Sequence, residues 1–257
     1  MSTLDFIINK IKTGSKLLLM FDYDGTLTPI VMRPELAILN SQTKNNLEKI
    51  AAIDFIQVAI ISGRSIEDLK KITGLNFDNI TLYGIHGGEK LEGNKIFVDI
   101  SPEKKKDIEK FKKSLENLAA LPGIIIEDKG YSLSLHYRMA DEATSKIALE
   151  EFRKKAETLN LLTEFRYQEG KKVLEILPKS FNKLKAVNAL IDKYEGYLPV
   201  YFGDDKTDAY PLREVQEHGG LAVLVEAQED YHSLLPDQSV TIEEIMNFLD
   251  EAVNLTG

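Results

Sequence analysis

Short, unbroken apolar runs recur along the first hundred residues, and each is followed by polar residues and then by a helical pattern. Residues 17–21, Leu-Leu-Leu-Met-Phe, form the first run, which suits a parallel strand covered on both faces. Leu47, Ile50 and Ala51 fall at helical spacing within 40–52, where Ser41 is the expected cap. A second strand is expected at 57–61. Ser65, with Asp68 three residues on, marks the start of a helix that Gly74 ends. A third strand at 80–83 leads into Gly84-Ile85-His86-Gly87-Gly88-Glu89, and a hairpin about Glu92-Gly93-Asn94 returns through 96–98. Strand, helix, strand, helix, strand predicts a parallel α/β sheet.

The pattern changes at Pro102. Residues 102–120 read as one long amphipathic helix that Pro122-Gly123 breaks. Strands are expected at 124–127 and 132–138, the second alternating Leu133, Leu135 and Tyr137 against Ser132, Ser134 and His136. A helix at 141–159 and a hairpin of 162–168 with 172–177 complete an α+β unit at 101–178. The α/β pattern then resumes with a helix at 182–194 and a strand at 199–202. The acidic loop Gly203-Asp204-Asp205-Lys206-Thr207-Asp208 follows, then a helix at 210–217, a strand at 220–225 and a closing helix at 242–253. The predicted fold class is α/β: a parallel-sheet, Rossmann-like core of residues 1–100 and 179–257, interrupted by an inserted α+β domain.

The first strand stops at Asp22, and a second carboxylate follows at Asp24. Residues two apart on an extended chain point to one side. Both therefore project from the carboxyl end of a core strand, the edge at which open α/β sheets bind ligands. Adjacent anions raise each other's pKa and call for a cation, a shared proton or a catalytic purpose. Two further strands end in polar groups, Ser62 with Arg64, and Asp204 with Asp205 and Asp208, while Lys183 stands near the start of the helix after the insertion. In a parallel sheet these groups converge on one crevice. Carboxylate oxygens without sulfur or imidazole favour Mg²⁺, which prefers a phosphate partner. Asp22 as nucleophile, a cation, Lys183 and the Ser62 hydroxyl are the parts that phosphoryl transfer needs. Asp24 would protonate the leaving oxygen and then activate water. Structural roles remain open for single members: Ser62 as a turn cap, Arg64 in a salt bridge to a core acid, and His86 as a satisfied core histidine.

Composition narrows the classes. The chain has 257 residues, 43% hydrophobic and 28% charged, with a net charge of -9, enough to bury a sizeable core. The acidic balance, with no basic cluster interleaved with aromatics, argues against nucleic acid as a partner. The absence of cysteine removes disulfides, thiolate metal sites and a cysteine nucleophile. Histidines at 86, 136, 218 and 232 show no zinc-helix spacing. No apolar stretch has the length of a membrane span, and charges at Asp5, Lys10 and Lys12 interrupt any signal-like run. A cytoplasmic protein without a membrane partner is the expectation.

In order along the chain, Asp22-Tyr23-Asp24-Gly25-Thr26-Leu27, the strand end at Ser62, Lys183 and Gly203-Asp204-Asp205-x-x-Asp208 resemble the four motifs of haloacid-dehalogenase-like phosphatases. The resemblance implies that core fold, with Asp22 the nucleophile and Asp24 the general acid/base. Mg²⁺ would be held by Asp22, the Asp24 backbone carbonyl and Asp204, with Asp208 in support, and Ser62 and Lys183 would hold phosphate. An insertion between the second and third motifs matches members with a large α/β cap. Ile60-Ile61-Ser62-Gly63-Arg64, Glu127-Asp128-Lys129-Gly130-Tyr131-Ser132-Leu133, His136-Tyr137-Arg138 and Val173-Leu174-Glu175-Ile176-Leu177-Pro178 are similar to trehalose-6-phosphate phosphatases. By that resemblance Glu127, Lys129 and Glu175 grip a glucose through its hydroxyls, with Arg64 and His86 as further substrate contacts. An ion-pair network among the cap residues is the structural alternative, and His136 reads as structural. Leu184 stands where the family usually has glycine, and Lys206 where arginine is common. The implied activity is Mg²⁺-dependent hydrolysis of trehalose 6-phosphate, with a trehalose-phosphate synthase as the protein partner the resemblance allows. Another glycosyl phosphate, of the sucrose or mannosylglycerate type, and a non-catalytic sugar-phosphate-binding subunit of a synthase remain as alternatives.

Overall fold

The computed structural model describes residues 1–226 and 237–255; His232 lies outside the described residues. Helix α1 (Thr3–Lys12) precedes β1 (Leu17–Phe21), and α2 (Ser41–Ala51), β2 (Ile56–Ile61), α3 (Ile66–Thr73) and β3 (Ile80–Gly84) follow. Then come β4 (Glu89–Glu92), β5 (Lys95–Val98), α4 (Pro102–Ser114), α5 (Glu116–Ala119), β6 (Ile125–Asp128) and β7 (Leu133–His136). The chain continues through α6 (Glu142–Thr158), β8 (Phe165–Gly170), β9 (Val173–Pro178), α7 (Lys183–Lys193) and β10 (Leu198–Gly203). It closes with α8 (Ala209–Glu217), β11 (Leu221–Val225), β12 (Gln238–Val240) and α9 (Ile242–Asn254).

The chain divides into two compact units, Met1–Phe97 with Asn182–Gly257, and Val98–Phe181. In the first, the strands run in the order β12-β11-β10-β1-β2-β3-β4-β5. Pairing is parallel from β12 to β3 and antiparallel between β3 and β4. All five residues of β1 are buried because both faces of the sheet are covered. Leu17, Leu19 and Phe21 pack with Ile7, Ile11, Leu47 and Leu249, whereas Leu18 and Met20 pack with Val187, Leu190 and Leu212 on the other side. The chain leaves β1 toward β2 on one side and later returns to β10 on the other. The carboxyl end of β1 is therefore the topological switch point of the sheet, where such folds open a crevice.

The second unit is a four-stranded sheet in the order β6-β7-β9-β8, antiparallel throughout. One face buries Leu133, Leu135, Leu174 and Ile176 against Phe111, Ala148 and Phe152 of the helices. The Phe111 and Phe152 rings meet edge to face at 4.9 Å.

Local differences from the sequence reading have identifiable causes. The cap of α2 is Asn40, not Ser41: the Asn40 side chain accepts the Thr43 backbone N–H at 2.8 Å, and Ser41 becomes the first helical residue. The helix expected at 102–120 breaks at Leu115, leaving α4 and the single turn α5. Residues 1–16 carried no predicted element, yet Ser2 and Asp5 form a reciprocal capping box for α1, which buries Ile7, Ile8 and Ile11. Among the described residues no helix is long and apolar enough to cross a membrane.

Candidate active site

Parallel register brings three strand ends together. Phe21 lies opposite Phe202 on one side and Ile60 on the other, with the Phe21 and Phe202 rings stacked at 4.6 Å. One residue on, the Asp22 N–H donates to the Phe202 carbonyl at 2.9 Å. Asp22, Ser62 and Asp204 therefore leave neighbouring strands at one edge. Asp22, Asp204 and Asp208 are buried, and each offers a carboxylate oxygen within 4.8 Å of the others.

Gly25 makes this approach feasible. It adopts φ +86°, and a Cβ there would fall 2.1 Å from Asp204 Oδ2. Only glycine tolerates both the left-handed backbone and the carboxylate in that space.

Lys183 enters the cluster from the first turn of α7, which Asn182 caps by accepting the Lys185 N–H at 2.8 Å. Its ammonium lies 2.9 Å from Asp22 Oδ1 and 2.8 Å from Asp208 Oδ1. Asp208 is fully engaged: Oδ1 also accepts the Tyr201 hydroxyl at 2.7 Å, while Oδ2 accepts the backbone N–H groups of Asp204 and Asp205 at 3.1 and 3.2 Å. Burial pushes the Asp22 carboxyl well above the usual carboxylate range; Lys183 opposes this, and Asp208 and Asp204 add to it. Burial alone would lower the Lys183 pKa, but Asp208 and Asp22 outweigh it and hold the ammonium charged beyond its ordinary range. The Tyr201 phenol is raised by burial and by Asp208 and so remains a donor.

Asp24 points elsewhere. Its two oxygens accept from Arg64 Nε and an Arg64 terminal nitrogen at 2.6 and 2.7 Å, so its side chain stands outside the carboxylate group of Asp22. The metal contact implied for Asp24 concerns its backbone carbonyl only. Arg64, expected to touch substrate, is committed to Asp24, to Asp68 at 2.6 Å and to the Pro34 carbonyl at 2.9 Å. Ser62 is buried, and its hydroxyl accepts the Arg64 N–H at 3.2 Å, a turn-capping contact. His86 lies on Gly63, where a Cβ would come 2.6 Å from the imidazole. Its backbone is left-handed at φ +53° and donates to the Ser62 carbonyl at 2.8 Å. Leu184 is half-buried in the first turn of α7.

The second unit carries its own polar group. Cross-strand register aligns Glu127, Ser134, Glu175 and Gln168 in one row over β6, β7, β9 and β8. Lys129 pairs with Glu175 at 3.1 Å, both nearly buried, and the Ser132 hydroxyl donates to Glu175 at 2.6 Å. His136 meets Glu127 at 2.7 Å. Although burial would raise the Glu127 pKa, Lys129 and His136 bring it below its ordinary value. The Ser134 hydroxyl is buried with no hydrogen-bond partner among the described residues.

Sequence reasoning missed Tyr201, hidden within an apolar strand, and Asp68, taken only as a helix-start residue. The signal for Tyr201 was a lone phenol two residues before the glycine of an acidic loop.

The trehalose-phosphatase family profile matches residues 20–235. Trehalose-phosphate phosphatase B of Arabidopsis thaliana is 32% identical over 241 residues, covering 86% of this chain and 62% of that protein. Probable trehalose-phosphate phosphatase E of the same plant is 30% identical over 262 residues, covering 93% and 71%. The chain thus spans less than two thirds of the first relative's length. The solved C-terminal domain of Candida albicans trehalose-6-phosphate phosphatase superposes with a TM-score of 0.80 at 23% identity, over 98% of this chain and 97% of that domain. With a profile that matches most of its length, the chain belongs to the trehalose-phosphatase family.

Proposed function

We propose that this protein is a Mg²⁺-dependent phosphatase that hydrolyses trehalose 6-phosphate through a phosphorylated Asp22. The observation that carries the reading is the buried cluster at the switch point: Asp22, Asp204 and Asp208 within 4.8 Å, with Lys183 bridging two of them. Three buried carboxylates gather about one ammonium, and their donors are hard oxygens, which suits Mg²⁺. Both oxygens of Asp208 already accept two donors each. Asp22 and Asp204 would therefore be the carboxylates that hold the ion, with the Asp24 carbonyl, and Asp208 the residue that orients them. A bound Mg²⁺ would neutralise phosphate charge and keep the Asp22 carboxylate ionised.

The remaining chemistry belongs to the chain. An Asp22 oxygen attacks phosphorus, and the bond from phosphorus to the sugar oxygen breaks. Asp24 gives that oxygen its proton, so the sugar leaves as an alcohol. A water then attacks the phosphorus, loses its proton to Asp24 and releases Asp22 with inorganic phosphate. The Lys183 ammonium and the Ser62 hydroxyl supply positive charge and a donor to the phosphoryl oxygens. His86 and Arg64 border the strand end from which Ser62 projects.

Glu127, Lys129 and Glu175 are the proposed ligands of the sugar. The row of Glu127, Ser134 and Glu175, with the Lys129 ammonium on Glu175, offers the paired donors and acceptors by which a site selects a neutral polyhydroxylated ligand. Steady-state kcat/KM across a panel of sugar phosphates, with and without Mg²⁺, tests the assignment. Trehalose 6-phosphate is expected among the best substrates, and chelation is expected to remove activity that Mg²⁺ restores. If another glycosyl phosphate clearly outperforms it, the sugar assignment falls and the phosphatase reading stands.

Glu175→Ala separates recognition from chemistry. Turnover of trehalose 6-phosphate is expected to fall about 10²-fold or more, with little change on a small phosphate ester. Equal losses on both esters would make Glu175 a structural member of the inserted unit.

A further inference from the structure

The proposed reaction assigns Asp24 two proton transfers, and the group that holds its carboxylate is Arg64. The guanidinium meets Asp24 as a fork, Nε to Oδ2 at 2.6 Å and a terminal nitrogen to Oδ1 at 2.7 Å. The other terminal nitrogen donates to Asp68 at 2.6 Å, and the Pro34 carbonyl accepts a fourth bond at 2.9 Å. Four of the five N–H donors of the guanidinium are thus committed within the protein. The face of Tyr23 lies 5.7 Å away. The Arg64 side chain is 8% exposed, that of Asp24 37%.

The mount of Arg64 is rigid at the main chain as well. Its N–H donates to Ser62 Oγ at 3.2 Å, and its carbonyl accepts the Ile85 N–H at 2.7 Å. Two residues on, the Ile66 N–H donates to Glu89 at 2.7 Å. A buried side chain on a fixed backbone, with one donor left, is badly suited to gripping a phosphate. It is well suited to fixing the plane of the half-exposed carboxylate before it.

We propose that Arg64 is a positioning residue for Asp24, aligning its carboxylate for both proton transfers, and not a ligand of the substrate. The proposal rests on the phosphatase reading above. A planar fork fixes a carboxylate plane, which a lysine ammonium cannot do despite keeping the charge. Its consequence depends on the leaving group. A sugar alkoxide is a poor leaving group that needs the Asp24 proton as its bond to phosphorus breaks. p-Nitrophenolate departs with its electron pair unprotonated. The second half-reaction needs Asp24 as base in either case, because the attacking water must lose a proton.

Arg64→Lys and Arg64→Gln, assayed in the full chain with Mg²⁺, are expected to lose about 10²-fold in kcat on trehalose 6-phosphate, with KM within about threefold. With p-nitrophenyl phosphate, the first turnover should stay within about fivefold of wild type. It should appear as a burst of p-nitrophenolate equivalent to the enzyme, followed by a slow phase. Asp68→Asn, which leaves the Asp24 fork in place and loosens the far side of the guanidinium, is expected to cost about threefold to tenfold in kcat on the sugar phosphate, with the first turnover of p-nitrophenyl phosphate unchanged. This variant carries the test if substitution at Arg64 prevents folding. A raised KM with kcat retained would overturn the proposal, as would equal first-turnover losses on both esters. If the wild type ignores trehalose 6-phosphate but hydrolyses another sugar phosphate, the sugar assignment fails and the comparison runs on that ester. If it hydrolyses neither class of ester, the phosphatase reading and the role of Arg64 fall together.

Discussion

Asp22→Asn is expected to lower phosphate release by about 10⁴-fold or more while leaving the chain folded. Asparagine matches aspartate in shape but offers no ionised oxygen to phosphorus, so no covalent intermediate forms. Folding survives because Lys183 keeps its second carboxylate, Asp208 at 2.8 Å. The stability effect has a sign that can be worked out. Burial, with Asp208 and Asp204, raises the folded-state pKa of Asp22 despite the opposing Lys183. The folded protein therefore holds that proton more tightly than the unfolded chain does. Without metal, Asp22 costs the wild type stability as pH rises from the ordinary carboxylate range. The metal-free variant should melt at or above the wild-type temperature at about pH 7, by a larger margin than at about pH 4. Added Mg²⁺ should raise the wild-type melting temperature more than that of the variant. Activity within tenfold of wild type would remove Asp22 from the nucleophile's place.

The opening strand was legible for a simple physical reason. A strand covered on both faces has no polar position to spare, so five apolar residues ending at Asp22 identify both the sheet and its functional edge. The same logic found β2 and β10, whose ends supply Ser62 and Asp204. Helix α1 was missed because its apolar positions are interleaved with charge, although Ser2 and Asp5 already spelled its cap. The candidate site was legible as an inventory of residues, with a salt bridge from Arg64 to a core acid and an ion-pair network in the inserted unit among the readings left open, but which residue meets which was not. Sequence spacing joined Asp22 with Asp24, whereas the structure gives Asp22 to Lys183 and Asp24 to Arg64. Those partners lie 161 and 40 residues away along the chain, and only the strand order makes them neighbours. In the inserted unit, alternation along β7 marked a polar face, but the alignment of Glu127, Ser134 and Glu175 depends on the register of three strands.

Asp208→Ala is expected to damage stability and activity together, because this one side chain organises four donors. Lys183 and Tyr201 meet Oδ1, and the N–H groups of Asp204 and Asp205 meet Oδ2. Alanine leaves a buried phenol and two backbone donors without an acceptor, and Lys183 with Asp22 alone. Each orphaned buried donor costs roughly 1–3 kcal/mol. Relief of repulsion offsets part of this, since Asp208 is one of the groups that raise the Asp22 pKa. The unsatisfied donors win: a net loss of about 3–5 kcal/mol should lower the melting temperature by roughly 10 °C for a chain of this size. Freed from Asp208, the backbone at 204–205 no longer fixes the Asp204 carboxylate beside Gly25. Activity should fall by about 10–100-fold and be partly recovered by raised Mg²⁺, as expected when a residue orients metal ligands without being indispensable. Asp208→Asn keeps one acceptor oxygen toward Lys183 and Tyr201 but turns an amide toward two N–H donors, so it should fall between alanine and wild type on both measurements. Thermal melts and phosphate release at several Mg²⁺ concentrations decide the matter. A melting temperature within a degree or two of wild type would show that the acidic loop is held by something other than Asp208.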